Sequence, residues 1–366
     1  MRRVAAPDAP ARVVTFDSHH DDPGTDRLGF GEAFFASEGI GAIHVLTAAN
    51  DWFQCPDTPA ALAAVRAAAN APLLAYGSSM GGYGAVRFAA AAGADRVLAL
   101  SPQYSIDRRK VDFETRWKEE ARRIRFRPEL DGPIAGVVPS VVAYDPLLDE
   151  DRCHVDRIAG DVAIERLRVP HGGHNSAAFL SDLGLLKPLV HAMLDGNLDL
   201  PAVAGEAHRR RKESPTWLGE LAGRQPAHRL GTAIGLAERA AKLGPDSPVA
   251  LNQLALRLRE AGELDRAITI HRTVVAMAPL PAYLWGLSKT LAAAGQTGEA
   301  LAAAAEIQRQ AASVAGYHRW AAELRMQLHD RAGAIADLRR AVEALPSHRG
   351  YRWTLVRERL LQALGL

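Results

Sequence analysis

Four alanines, Ala233, Ala267, Ala300 and Ala334, recur at intervals of 34, 33 and 34 residues, a period that leaves a chain few ways to fold. Each is followed by an aliphatic residue: Ile234, Ile268, Leu301 and Ile335. Five residues before them stand His228, Gly262, Gly295 and His329, where a turn between two helices would fall. Twelve after them stand Pro245, Pro279 and Pro346, with Ala312 in the proline's place in the third copy. Trp217, Leu251, Leu284 and His318 take the first large-residue position of successive units. A period of this length marks one supersecondary unit stacked on copies of itself, each burying the face its neighbour leaves open. Units are expected at 214–247, 248–280, 281–314 and 315–348, with a closing basic, amphipathic helix from Arg349 to Leu364.

The first half of the chain has a different grammar, of short apolar runs separated by turn residues and helix-forming stretches. Leu73-Leu74-Ala75-Tyr76 runs into Gly77-Ser78-Ser79-Met80-Gly81, and an alanine-rich stretch to Ala92 follows. A strand, a tight G-x-S-x-G turn and a helix together present one serine, here Ser79, on a strained backbone. Gly77 and Gly81 give the room the strand–helix crossing needs. Ser78 occupies the variable position and is not the candidate.

Two later segments complete a nucleophile–acid–base order. Ser140-Val141-Val142-Ala143-Tyr144 is a strand ending on Asp145-Pro146-Leu147-Leu148-Asp149-Glu150-Asp151. Asp145 lies at the strand end and Asp149 four residues on, so both are candidate acids, while Asp151 is expected to cap the helix that begins near Arg152. Val162–Val169 is the last strand, with edge character, and leads into Pro170-His171-Gly172-Gly173-His174-Asn175. His174, after two glycines and before a helix, is preferred over His171 as the general base.

Other segments place the surroundings. Arg12-Val13-Val14-Thr15-Phe16 is the first strand, and the loop after it would supply an N–H, from Asp17 or Ser18, to an oxyanion whose other donor is Met80 N–H. His19, His20, Asp21 and Asp22 read as a solvated loop in preference to a metal site. Trp52 is a pocket wall or a packing aromatic. Asp107 to Arg127 holds nine basic and five acidic residues. It reads as a solvated surface helix, with a small lid as the alternative. Asp195 to Pro215, with the run Arg209-Arg210-Arg211-Lys212, reads as a solvated linker.

The motifs G-S-S-M-G-G-Y-G-A, D-P-L-L-D and H-G-G-H resemble those of α/β-hydrolase fold serine esterases over residues 11–195. The resemblance implies a mostly parallel sheet with helices on both faces. It also implies attack of Ser79 on an ester or thioester carbonyl through an acyl-enzyme, with no cofactor and no metal. The second half is similar to a tetratricopeptide repeat array, an all-α solenoid whose groove would take a protein or peptide partner, dimerise the chain or cover an enzyme's entrance. A domain of residues 1–195, a linker of 196–213 and a repeat domain of 214–366 follow.

Composition sets the outer bounds. A net charge of +2 supplies no field for nucleic acid. The two cysteines, Cys55 and Cys153, form no disulfide framework, and the N-terminus carries no apolar signal core, so a cytoplasmic address without a membrane span is expected. A non-catalytic scaffold with a degenerate hydrolase domain is the alternative to a working enzyme.

Overall fold

The computed structural model describes residues 2–4, 11–20, 24–69 and 72–364. Two units divide the chain, Met1–Glu220 and Leu221–Leu366.

In the first unit strands and helices alternate: β1 (Arg2–Val4), β2 (Ala11–Phe16), α1 (Glu32–Ser37), β3 (Gly41–Val45), α2 (Thr58–Ala68), β4 (Leu74–Ser78) and α3 (Met80–Ala92). They continue with β5 (Arg96–Leu100), α4 (Lys118–Arg123), β6 (Ser140–Tyr144), α5 (Asp149–Asp161), β7 (Ile164–Arg168), α6 (Ser176–Asp182) and α7 (Leu186–Asp195). The strands form one sheet in the order β1-β3-β2-β4-β5-β6-β7. All pairings are parallel except β1 with β3. The strand of three residues at Arg2–Val4 was not expected from sequence, being too short to show a period. Central strands β3, β4, β5 and β6 are buried almost throughout, whereas β7 alternates at the sheet edge, as its polar residues foretold. Strand ends align, with Ser78 opposite Leu100, Leu100 opposite Ala143 and Tyr144 opposite Arg168. Loops leaving β4, β5, β6 and β7 therefore emerge along one edge, where open parallel sheets gather their functional groups.

Residues 196–213 are not a linker. They form α8 (Leu200–Arg210) and a turn of 3₁₀ helix at Arg211–Glu213, followed by α9 (Pro215–Gly223). Asp199 caps α8 through Ala202 N–H, a local signal inside a polar stretch. Ala207 is buried, Arg210 donates to Leu183 O at 3.0 Å, and Ser214 donates to Asp182 at 2.6 Å. Within the basic run Arg209 and Lys212 face solvent, while α8 packs along β7.

The second unit is a succession of antiparallel helices: α10 (Leu230–Leu243), α11 (Pro248–Glu260), α12 (Leu264–Met277), α13 (Pro281–Ala293), α14 (Thr297–Gln310), α15 (Ala315–Gln327), α16 (Arg331–Ala344) and α17 (Arg349–Ala363). Each packs on the next, and α11 also meets α13, the neighbour-only pattern of a solenoid of helix hairpins. Ala233, Ala267, Ala300 and Ala334 are all buried, small because two helix backbones cross there. Gly262 and Gly295 have φ of 78° and 76°, and His329 adopts 59° at the same turn. The recurring glycine thus meets a left-handed backbone requirement that histidine satisfies with some strain. His271 is buried inside the array, and burial with the nearby Arg259 charge holds its pKa down at about 4. No single helix among the described residues is long and apolar enough to cross a membrane.

Candidate active site

β4 ends on Ser78, and the next residue, Ser79, sits at φ 55°, ψ −116°, a conformation few non-glycine residues adopt. Its N–H bonds Leu100 O, which continues the sheet ladder into the turn, and its carbonyl accepts from Tyr83 N–H in the first turn of α3. The tightness of this turn dictates its glycines. A Cβ on Gly77 would strike the Gly81 carbonyl, one on Gly81 the Phe16 carbonyl, and one on Gly82 the Pro102 backbone.

Ser79 Oγ lies 2.8 Å from His174 Nε2, and His174 Nδ1 lies 2.9 Å from both oxygens of Asp151. The neighbours of this relay fix its protons. Trp52 Nε1–H can only donate, and it donates to Gln103 Oε1 at 3.0 Å. The amide NH₂ of Gln103 therefore faces Ser79 Oγ, 3.0 Å away, and donates to it. Ser79 directs its own proton to His174 Nε2, which leaves Nδ1 protonated and donating to Asp151. That is the arrangement in which a serine can be deprotonated by a neighbouring imidazole.

The carboxylate that meets His174 is Asp151, not Asp145 or Asp149. Asp145 is fully buried, but its Oδ1 accepts from Leu147 N–H at 2.9 Å and its Oδ2 from Gly173 N–H at 3.1 Å. A carboxylate at the strand end thus ties the β6 loop to the histidine loop. Asp149 points outward, 83% exposed, to an ion pair with Arg152. Asp151 is not a cap, because α5 starts at Asp149; on the third helical position it turns inward and is 1% exposed. Desolvation works to raise its pKa, but the His174 bond and charge and then Arg116 outweigh it, so the carboxyl sits below its ordinary range.

Arg116 comes from the 107–127 insertion and was missed in the sequence because nine basic residues there look alike. It donates to Asp151 at 2.8 Å and to Glu114 at 2.7 Å. Its approach to His174 Nδ1, 3.1 Å, is between two donors. Glu114 in turn meets His154 at 2.9 Å. Burial acts against its charge, but the His154 and Arg116 bonds prevail and hold its pKa at about 2. Two carboxylates and one guanidinium leave a net negative charge behind His174, which would favour a protonated imidazole there.

The insertion is therefore not a solvated helix. Only Lys118–Arg123 is helical; Asp107 and Glu114 are buried, and Trp117 packs 4.7 Å from the His19 ring and 5.5 Å from Trp52. Trp52, at φ 51°, is a buried aromatic that orients Gln103.

The oxyanion donors divide. Asp17 N–H is engaged by Val45 O at 3.2 Å, and its buried carboxylate holds Arg27, so Asp17 is no donor. Among the described residues the Ser18 N–H has no acceptor, while Ser18 Oγ lies 3.5 Å from Ser78 O. Met80, first in α3, has no intrahelical acceptor for its N–H. Of the three candidate residues, Ser18 and Met80 are the ones whose N–H groups stay open to an acceptor. His20 bonds Asp17; Asp21 and Asp22 lie outside the described residues. His171, at φ 61°, packs edge-on to Trp217 away from Ser79. Among the described residues no three metal-binding side chains are grouped, and both cysteines are free.

Gln103 is the residue sequence reasoning missed whose removal is most informative. Gln103→Leu takes a donor from Ser79 Oγ and leaves the Trp52 N–H unpaired. A loss of about tenfold in kcat/KM for an activated ester is expected, the worth of one such hydrogen bond. Unchanged kinetics would show that His174 alone positions the serine.

No family model matches this chain, and no curated protein matches it. Solved structures do. TTC0263, a thermophilic tetratricopeptide protein of Thermus thermophilus, is similar at 18% identity over 49% of this chain and 100% of that one, with a TM-score of 0.35. Residues 41 to the end of MamA from Desulfovibrio magneticus RS-1 match at 18% identity over 40% of this chain and 86% of that one, with a TM-score of 0.35. The Yersinia enterocolitica secretion chaperone SycD, solved with a peptide of the translocator YopD, matches at 20% identity over 31% of this chain and 89% of that one, with a TM-score of 0.28. Matches of this strength leave the chemistry of the sheet-bearing unit to its own geometry.

Proposed function

We propose that the N-terminal unit is a serine hydrolase of ester or thioester acyl bonds, of the α/β-hydrolase kind, and that the helical repeats are a partner-binding module of the tetratricopeptide kind. The observation that carries the first part is the continuous relay Gln103–Ser79–His174–Asp151 at hydrogen-bond distance, mounted on a strained strand–turn–helix. In this reading Ser79 Oγ attacks the acyl carbon as its proton passes to His174 Nε2, forming a tetrahedral oxyanion against the Met80 and Ser18 N–H groups. Collapse expels the alcohol or thiol, which takes the proton from His174. Water, or another acceptor in a transferase, then releases the acyl group by the same steps.

A second reading, an interaction scaffold whose hydrolase unit is silent, draws on the helical array itself, which offers successive helix faces to a partner. The two readings separate in one experiment. A fluorophosphonate probe is expected to label the full chain covalently and to leave Ser79→Ala unlabelled. A parent chain that resists the probe while correctly folded by circular dichroism would favour the scaffold.

A further inference from the structure

A concavity lies within the N-terminal unit, at the start of the loop that carries His174, and neither Ser79 nor His174 lines it. It forms where α8 and the start of α9 pack against the end of β7, and its volume is about 270 Å³. Phe179, Val169 and Trp217 supply an apolar floor, all of them buried. Four basic side chains share the lining: Arg168, His171, His208 and Arg211; no acidic residue does.

The charge pattern is the informative part. Several arginines of this unit are paired with acids, as Arg109 is with Asp107, Arg116 with Asp151 and Glu114, and Arg166 with Asp156, while Arg87 and Arg96 are held by backbone carbonyls. Among the described residues neither Arg168 nor Arg211 has a carboxylate within ion-pair distance. Arg211 is steered toward the cavity, with its guanidinium carbon 5.8 Å from the centre of the Trp217 ring. The walls are well anchored: Trp217 Nε1 donates to Pro170 O at 3.0 Å, and Asp182 accepts from Ser214 Oγ at 2.6 Å and Thr216 N–H at 2.9 Å. An apolar floor beneath uncompensated cations suits a ligand with a matching apolar body and one anionic end.

We infer that this cavity is a binding site for a small amphipathic carboxylate, a medium-chain alkyl or aryl acid. Its apolar body lies on Phe179 and Trp217, and its carboxylate meets Arg168 and Arg211. The site is separate from Ser79, and the inference does not depend on turnover there. Its occupant would touch Pro170 and His171, which begin the loop ending at His174.

Titration calorimetry on the full chain tests it, with octanoate as the probe and octan-1-ol as its uncharged counterpart. Octanoate is expected to bind once per chain and octan-1-ol at least about tenfold more weakly, the worth of one charge-assisted contact. Arg168→Gln and Arg211→Gln, both at the solvent rim, are each expected to weaken octanoate by about tenfold. Ala204→Phe, which fills the cavity from α8, is expected to abolish it, and should that variant not fold, the two arginine variants decide. Ser79→Ala is expected to bind as the parent does. Absence of octanoate binding, equal affinity for octan-1-ol, or parent-like affinity in both arginine variants would overturn the proposal. So would octanoate binding that is lost in Ser79→Ala.

Discussion

Asp151→Asn is expected to lower kcat toward a p-nitrophenyl ester by about 10⁴-fold at neutral pH, with Asp149→Asn within about twofold of the parent. An asparagine amide facing Nδ1 would donate where the carboxylate accepts, holding the imidazole in the tautomer that cannot take the Ser79 proton. The same change removes an anion from the Glu114–Arg116–Asp151 cluster, so Arg116 would then oppose the imidazolium with only Glu114 to offset it. Asp149 is solvent-facing and tied only to Arg152, which accounts for the small expected effect. Asp145→Asn is the discriminating control. Its loss would act through the loop held by Gly173 N–H, so kcat should fall by roughly tenfold while a fluorophosphonate still reacts at a measurable rate. A parent-like Asp151→Asn beside a 10⁴-fold loss in Asp145→Asn would return the acid to the strand end.

That correction shows where the sequence was legible and where it was not. Ser79 could be read because strand, glycines and helix are contiguous, so local sterics nearly determine the turn. His174 could be read from its place after the last strand. The acid could not, because all three aspartates stand in one short stretch, and choosing among them depends on which way α5 faces. Asp145 was the natural choice if rigidity decides, yet a rigid carboxylate beside bare backbone N–H groups is satisfied by them first. Arg116 and Gln103 reach Ser79 and His174 through folded distance alone, 58 residues from His174 for one and 24 from Ser79 for the other. The repeats were the most legible part because the same physical demands return every 33 or 34 residues. His329 departs from glycine yet takes the same left-handed turn, so the demand belongs to the position and not to the residue type.

The stretch 196–213 was misread for a different reason, and its correction has a large consequence for where the chain can be cut. Polar, proline- and glycine-bearing sequence suggested exposure, but Ala207 of α8 and the Trp217 side chain are buried. A chain ending at Asp195 would lose the Trp217–Pro170 and Ser214–Asp182 bonds and bare Val169 and Phe179, which are 1% and 2% exposed in the full chain. At roughly 1.5–3 kcal/mol for each large apolar side chain returned to water, the loss is about 4 kcal/mol or more. That is a large share of a typical domain's stability. The chain ending at Asp195 is therefore expected to melt at least about 10 °C below one ending at Gly223, and to bind a hydrophobic dye at room temperature. Hydrolysis of a small ester should follow the same order, since Pro170 opens the loop that holds His174. Coincident melting curves for the two chains would mean that α8 and the start of α9 add nothing to the unit's stability. The bonds from Trp217 and Ser214 would then be contacts without energetic weight.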